Sequence, residues 1–418
     1  MRPGRLSRTA FLLAAVLLAG IVTQVSPAAA QEPGEALRVF HVVAGPGDQV
    51  WERFGHNAIW IHDPERGRDP TYNYGIFDFD QENFILRFVQ GRMLYSMAPF
   101  PIESTVEIYR RDNRLVTVQE LNLTPAERLR LYEFLEWNAL PENRDYRYDY
   151  FHDNCSTRVR DALDHALGGQ IREQTGHVPS GTTFRSHSRR LVGDDLPLYL
   201  GIHAGLGPAT DREISVWEEM FIPMRLEDHL RAITVADAEG NRQPLVLDER
   251  VVVPSGRALP PDSPPSHLAL LLGIGILAGG VLAALGMWGR WRSARVGLAV
   301  LGGVWGFVTG IGGLLLLGLW LLTDHTAAHA NANLFNLTPL GLALAALVPA
   351  AVRGRAGRWA LWVAAAVIGI ALLGLLLRLT PLVNQATGEI IALTLPIHIG
   401  LCLGLLLLER VRVTRSST

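Results

Sequence analysis

Hydrophobic and polar positions divide the chain into three regions. An apolar run occupies residues 11–22, short alternating runs continue to about residue 253, and long apolar runs follow residue 267. Alternation with a period of two is typical of half-buried strands, and apolar runs of about eighteen residues or more are typical of membrane helices. The pattern predicts an apolar leader, an α+β domain built on an antiparallel sheet, and an all-α membrane region.

Within the middle region, three alternating runs predict strands, namely "LRVFHVVAG" (37–45), "NAIWIHD" (57–63) and "RLVTVQEL" (114–121). In the second run, Ala58, Trp60 and His62 fall on one face and Asn57, Ile59 and Ile61 on the other. The segment 124–140 predicts a helix, because Thr124 is a suitable N-cap and Pro125 suits the first helical position.

Five apolar runs after residue 265 predict five transmembrane helices, at 268–289, 297–322, 335–352, 359–377 and 389–408. The connections 289–295, 353–358 and 409–415 are rich in arginine, whereas 323–333 and 380–389 contain no Lys or Arg. Basic loops stay in the cytoplasm. The C-terminus is therefore predicted to be cytoplasmic and residue 265 to lie outside.

The N-terminus has the layout of a secretory signal, with Arg2, Arg5 and Arg8 before the apolar run and "SPAAA" at its end. Cleavage is expected near Gln31, and an uncleaved anchor is the alternative. The predicted divisions are a signal peptide (1–30), an exported domain (31–253), a linker (254–266), a transmembrane domain (267–410) and a tail (411–418).

Charge and cysteine content narrow the chemistry. The formal charge of −2 over 418 residues gives no reason to expect a nucleic-acid partner. Of the two cysteines, Cys155 is in the exported domain and Cys402 in the last apolar run, so they cannot pair. An unpaired exported cysteine is a candidate for chemistry, and an inert buried cysteine is the alternative.

Cys155 stands in "YFHDNCSTRVRDALDHALGG", which predicts a helix capped by Asp153 or Asn154 and ended by two glycines. The helix start, with Arg158 and Arg160 one turn away, is expected to favour a thiolate. A nucleophilic thiol needs a base. His56, at the mouth of the second predicted strand, is the candidate. His152, Asp153, Cys155 and His165 fit no zinc spacing, so neither a metal nor a cofactor is predicted.

Two motifs carry a resemblance. "GHNAIWI", with His56, followed far downstream by "NCSTRVR", with Cys155, resembles the circularly permuted papain-like fold of NlpC-related and lecithin:retinol acyltransferase-like enzymes. Five longer segments, 43–64, 69–97, 150–163, 211–226 and 323–340, resemble landmarks of the Lnb-type lipoprotein N-acyltransferases. Thr338 stands where that family is expected to have Asn.

The resemblance implies roles for individual residues. Cys155 would be the nucleophile and His56 its base, oriented by Asn73 in preference to Tyr72 or Asp78. Substrate-binding roles are expected for Asn154, Arg158, Tyr72, Asp324, His325, Asn331 and Asn333. For the last four, a polar loop that satisfies helix ends is the alternative. Arg185 is expected either to pair with a phosphate or to lie on the surface.

The resemblance also implies an activity. Cys155 would take an acyl chain from a membrane phospholipid as a thioester and pass it to the N-terminal amine of a lipidated lipoprotein, at the outer face of a bacterial inner membrane. The expected partners are the phospholipid donor, the lipoprotein acceptor and the membrane. The alternatives are a cysteine peptidase or amidase acting on peptidoglycan, and a non-enzymatic envelope assembly protein.

Overall fold

The computed structural model describes residues 32–237 and 240–416, with side chains to residue 414. The predicted signal peptide (1–30) lies outside these residues. The described chain forms a sheet-and-helix domain followed by a bundle of apolar helices.

The domain is built on one seven-stranded antiparallel sheet with the order β11-β5-β1-β2-β3-β4-β6. Its strands are β1 (Arg38–Ala44), β2 (His56–His62), β3 (Pro70–Ile76), β4 (Leu94–Pro101), β5 (Val116–Leu121), β6 (Asp145–Arg147) and β11 (Val246–Val253). The pairs β7 (Pro179–Thr183) with β8 (Glu213–Ser215) and β9 (Thr234–Ala236) with β10 (Arg242–Pro244) form two small ribbons. The three strands predicted from alternation are confirmed as β1, β2 and β5.

Nine helices accompany the strands within the described part of the domain: α1 (Phe84–Gln90), α2 (Ile102–Arg111), α3 (Pro125–Asn138), α4 (Cys155–Ala166), α5 (Gln170–Thr175), α6 (Phe184–Leu191), α7 (Leu196–Gly205), α8 (Val216–Glu219) and α9 (Pro223–Leu230). The predicted start of α3 is confirmed, because Thr124 is the N-cap and Pro125 the first helical residue, and Thr124 forms a capping box with Glu127.

The alternation in β2 separates two cores. Ile59 and Ile61 are buried with α3 and α4 on one face of the sheet. On the other face, Trp60 packs with Phe40 and with residues of α2. Helix α4 therefore lies on one side of β2 and α2 on the other. The two sides meet at the first residue of β2, His56.

The C-terminal region contains α10 (Leu268–Met287), α11 (Arg292–Leu322), α12 (Gly341–Val352), α13 (Gly357–Leu377) and α14 (Gly388–Ser416). Four of these five helices are long and apolar enough to cross a membrane, and α12 has only 12 residues. The predicted helix over 335–352 is thus too long. Its first part, around Asn336, Thr338 and Pro339, leaves helical geometry, since proline cannot continue a helix and the polar side chains are buried among other helices.

Close helix packing in the bundle depends on glycine. Helices α10 and α14 face each other at Gly279 and Gly400, where any side chain would collide with the backbone of the opposite helix. Small residues at such contacts let membrane helices approach closely.

Polar contacts join the domain to the bundle. The Asn331 amide nitrogen lies 2.8, 2.9 and 3.1 Å from the carbonyl oxygens of Ala204, Gly205 and Leu206 at the end of α7. Asn333 donates to Ala204 O as well. These carbonyls have no partner within their own helix, so the loop caps it from outside.

A buried carboxylate forms the second junction. Glu389, in the first turn of α14, accepts hydrogen bonds from Arg189 (3.0 Å), Tyr199 OH (2.6 Å) and the backbone N–H of His267 (2.9 Å). The predicted linker 254–266 also lies against the domain, where Arg257 pairs with Asp48 and Pro265 O accepts from Tyr199.

Asn331→Ala should destabilise this junction, because the carbonyl of Gly205 loses its side-chain donor and those of Ala204 and Leu206 each lose one of their donors. A loss of about 1–3 kcal/mol is expected. Thermal unfolding of the purified full chain would measure it. Asn384→Ala, at an exposed position in the loop before α14, is the matched control and should change little. Equal unfolding temperatures for both variants would contradict this role of Asn331.

Candidate active site

Helix α4 begins at Cys155, and its start is held by Asn154. The Asn154 side-chain oxygen accepts the N–H groups of Ser156 (2.8 Å) and Thr157 (2.9 Å), and its amide nitrogen donates to Tyr150 O and Phe221 O. The predicted cap is confirmed as Asn154. Because all its polar atoms are engaged and it is buried, Asn154 positions the helix, which corrects its predicted role in substrate binding.

Glycine at position 75 allows the start of α4 to approach the sheet. Gly75, on β3, has a φ of 88°, and a Cβ there would lie 3.3 Å from the Cβ of Cys155. Left-handed backbone is readily available only to glycine. The thiol carbon therefore packs directly against the β3 backbone.

His56 opens β2 and is held by Asn73 on β3. The register pairs Ala58 with Asn73, so His56 and Asn73 lie on the same face. His56 Nε2 is 3.2 Å from Asn73 Oδ1, while Asn73 Nδ2 donates to Thr71 O (2.8 Å). Since the amide nitrogen is used in that bond, His56 Nε2 must carry the proton that Asn73 accepts. The unprotonated Nδ1 is then the basic nitrogen of the ring.

Cys155 and His56 share their surroundings. The backbone N–H of Asn57, the residue after His56, lies close enough to the Cys155 sulfur to oppose the rise of the thiol pKa that burial causes. The Arg114 guanidinium lowers the pKa of both groups. Tyr109 lies with its ring centroid 6.4 Å from that of His56, and the negative charge of an ionised Cys155 contributes to raising the Tyr109 pKa. The start of α4 and the start of β2 thus lie close together, although the ring of His56 hydrogen-bonds Asn73 and not the Cys155 sulfur.

Burial determines the charge state of the pair. It raises the pKa of the Cys155 thiol to about 11, against the opposing effect of the nearby N–H donors. Burial also lowers the pKa of His56 to about 4, with Arg114 acting in the same direction. The resting pair is therefore a neutral thiol and a neutral imidazole. The expectation of a thiolate is wrong for the resting site, because desolvation outweighs the helix dipole.

A buried polar network behind the site was not predicted. His41 Nδ1 bonds Gln119 Oε1 (2.9 Å), and Asn57 Nδ2 bonds His41 Nε2 and Ser156 Oγ (both 3.2 Å). Ser156 in turn donates to Met220 O. The network ties β5, β1 and β2 to the first turn of α4. A histidine among the apolar residues of β1, on the face shared with Val39 and Val43, was the signal in the sequence.

Two predicted site residues lie elsewhere. Tyr72 is fully buried and its hydroxyl donates to Glu136 on α3, so it is a core residue and not a substrate contact. Asp78 is exposed and accepts the N–H of Asp80 (2.8 Å). Of the three predicted partners for His56, only Asn73 hydrogen-bonds its ring.

The predicted substrate residues of the loop 323–340 contact the domain instead of an open site. Asn331 and Asn333 are buried in the junction with α7. Asp324 pairs with Arg92 (2.9 Å) and Arg147 (2.5 Å), and His325 Nε2 bonds Phe88 O (3.0 Å). For these four residues, the alternative of a loop that satisfies helix ends fits the contacts better.

Arg185 is neither a surface residue nor exposed to a phosphate. It is buried, pairs with Asp211 through Nε (2.8 and 2.9 Å), and donates to His203 O, Leu206 O and Gly207 O. Arg185 therefore supplies donors to carbonyl groups at the C-terminal end of α7.

Arg158 remains next to open space. It forms a two-pronged pair with Asp153 (2.5 and 2.7 Å) and lies 4.3 Å above the Tyr146 ring. With Asp153 and His152 it lines a cavity of about 370 Å³ between α3 and α4. The predicted role of Arg158 in substrate binding therefore stays a prediction.

Fold and site together define a membrane protein whose sheet-and-helix domain brings a strand histidine and a later helix cysteine into one site. Residues 26–190 match the Lnb N-terminal periplasmic domain, and residues 271–408 match the Lnb transmembrane domain. The chain belongs to the Lnb family, and its N-terminal domain is periplasmic. Comparisons with curated proteins and with solved structures gave no match.

The raised thiol pKa predicts slow alkylation. In a Cys402→Ala variant, which leaves Cys155 as the single cysteine, the rate of reaction with iodoacetamide should rise about tenfold per pH unit from pH 6 to 10, because only the thiolate reacts. Mass spectrometry would follow the modification. A rate that levels off near neutral pH would instead indicate a stored thiolate.

Proposed function

We propose that this protein is a cysteine acyltransferase that moves an acyl chain from a phospholipid, through a thioester on Cys155, to the N-terminal amine of a lipoprotein. The observation that carries the proposal is the arrangement of Cys155 at a helix start beside a strand-held His56, within a member of the Lnb family. A thiol with a nearby imidazole suits covalent acyl transfer.

In the first half-reaction, His56 Nδ1 takes the thiol proton as the sulfur of Cys155 attacks an ester carbonyl. The Cys155–carbonyl bond forms, the ester C–O bond breaks, and the imidazolium returns its proton to the departing lysophospholipid oxygen. The N–H groups of Ser156 and Thr157 are used by Asn154, so the N–H of Cys155 is the free donor at the helix start that can stabilise the oxyanion.

In the second half-reaction, the acceptor amine attacks the thioester. His56 removes the amine proton, the new C–N bond forms, and the C–S bond breaks. The departing sulfur regains its proton from His56, which restores the neutral pair. The lowered pKa of His56 leaves the ring unprotonated at neutral pH, so Nδ1 has a free lone pair for the amine proton.

The membrane region supports a lipid substrate over peptidoglycan. A hydrolase of soluble or wall peptides needs one span as a tether. The described residues of this chain include four helices long enough to cross a membrane, besides α12. The junctions at Asn331 and Glu389 hold the domain directly against that bundle. Such attachment suits a reaction whose donor and acceptor both lie in the membrane.

Cys155→Ser should abolish acylation, and His56→Ala should lower it by about 10²–10⁴-fold, because the base is lost. The test expresses each variant in cells that lack their own lipoprotein N-acylation and uses mass spectrometry of the N-terminal cysteine of a reporter lipoprotein. Isotope-labelled phospholipid identifies the donor.

Glu133→Gln, at an exposed position on α3, is the control and should match the native protein. Full acylation by Cys155→Ser at equal expression would refute the thioester route. No acylation by the native protein would favour the hydrolase or assembly alternatives.

Asn73 is a positioning residue, and Asn73→Asp should reveal that role. A carboxylate beside Nε2 stabilises the imidazolium and raises the His56 pKa, which is about 4 in the native site. As the pH is lowered, acyl-transfer activity should then be lost at a higher pH than in the native protein. Steady-state rates of acyl transfer between pH 4 and 8 would measure the shift. A uniform loss with an unchanged pH profile would indicate only a structural role.

A further inference from the structure

Six large apolar side chains are exposed together around helix α1. This apolar cap consists of Trp51, Phe79, Ile85, Leu86, Phe88 and Val89, which are between 46% and 70% exposed. None of the residues of α1 is buried. Phe77 contacts the rings of both Trp51 and Phe79, and Phe84 of α1 stacks on Phe77. These two rings therefore connect Trp51 and Phe79 with helix α1. Contiguous apolar surface of this kind marks an interaction site.

The cap lies at the end of a membrane helix. Helix α11 ends at Leu322, and two residues later Asp324 N–H donates to Gln90 O (2.8 Å). His325 bonds Phe88 O (3.0 Å). A Cβ at Gly91 would fall within 3 Å of the Asp324–His325 backbone. These contacts hold α1 beside the C-terminal end of α11, where Leu321 and Leu322 are also exposed.

The charges beside the cap suit a lipid headgroup region. Arg92 and Arg147 both pair with the single carboxylate of Asp324, and each guanidinium side chain stays 58% exposed. The cluster therefore carries a net positive charge. Phosphate groups of phospholipids lie at this depth, just above the acyl chains, and attract arginine.

A row of aromatic rings leads from the cap to the site. Phe84 stacks on Phe77 (6.3 Å between centroids), Phe77 on Tyr95 (5.2 Å), and Tyr95 contacts Tyr148 (4.3 Å). Tyr95, Tyr148 and Cys155 all pack against the same buried cluster of the domain. Apolar contact is thus continuous from the exposed cap to the surroundings of the thiol.

We propose that the apolar cap is inserted into the outer leaflet of the membrane and that a phospholipid acyl chain passes from it along the Phe77–Tyr95 row to Cys155. Insertion stands on the contacts of α1 alone. Delivery of the acyl chain rests on the proposed function. The two parts are tested separately.

Insertion is tested with spin labels on the full chain in vesicles of phosphatidylethanolamine and phosphatidylglycerol. Leu86→Cys is labelled in a Cys155→Ser, Cys402→Ala background. Leu247→Cys is the control, because Leu247 is equally exposed (56%, against 54% for Leu86) but lies on β11, at the sheet edge opposite β6.

The label at position 86 should be relaxed by dissolved oxygen and protected from a water-soluble nickel complex, and the label at 247 should show the reverse. Equal exposure of both labels to the nickel complex would overturn insertion. Because this background lacks the thiol of Cys155, the result is independent of whether the protein transfers acyl chains.

Delivery is tested with Leu86→Glu and the control Leu247→Glu. Leu86→Glu should lower acylation of the reporter lipoprotein at least about tenfold, while alkylation of Cys155 by iodoacetamide keeps its native rate. Leu247→Glu should leave both unchanged. Native acylation by Leu86→Glu, or equal losses in acylation and alkylation, would overturn delivery through the cap. If Cys155→Ser keeps full acylation, the proposed function fails instead, and the spin-label result still stands.

Discussion

The side chain of Asn154 is the contact on which the site depends. It accepts two N–H groups of the first turn of α4 and donates to two carbonyls of neighbouring segments, so it fixes both the position and the direction of the helix start. An N-cap of this kind stabilises a helix by about 1 kcal/mol. Its larger consequence is geometric. The cap uses the N–H groups of Ser156 and Thr157 and leaves that of Cys155 free, and the Asn57–Ser156 bond then ties the same turn to β2.

The same burial that fixes the geometry also controls reactivity. A permanently ionised thiol in the periplasm would be exposed to oxidants, and thiolate character governs oxidation. Here desolvation keeps both Cys155 and His56 neutral. In the proposed mechanism, a proton moves from the sulfur to Nδ1 of His56 only when a carbonyl is in place for the sulfur to attack. In that mechanism, the helix dipole and the N–H donors do not maintain a resting thiolate, but they lower the cost of negative charge on the sulfur during the attack.

Whether a contact could be predicted from the sequence depends on how far apart in the chain its partners lie. Alternation along β3 places Tyr72 and Asn73 on opposite faces of the sheet. Only the register of β2 and β3, which pairs Ala58 with Asn73, shows that Asn73 shares the face of His56. The cap and start of α4 are likewise local. The partners of Asn331, Arg185 and Glu389 come from segments far apart in the chain. A polar residue near a helix end can face water, substrate or backbone, and only the docked fold decides among them.

Two separate contacts determine how the domain sits on the membrane bundle. One is the polar junction of Asn331 and Glu389 with α6 and α7. The other is the attachment of α1 to Asp324 and His325. A single contact would let the domain pivot, whereas two contacts on different elements fix its orientation. Since β6, through Arg147, shares the second contact, the β6 edge of the sheet faces the bundle and β11 lies at the opposite edge. Together with the proposed insertion of the apolar cap, this orientation directs the aromatic row beside Cys155 towards lipid and not towards the aqueous periplasm.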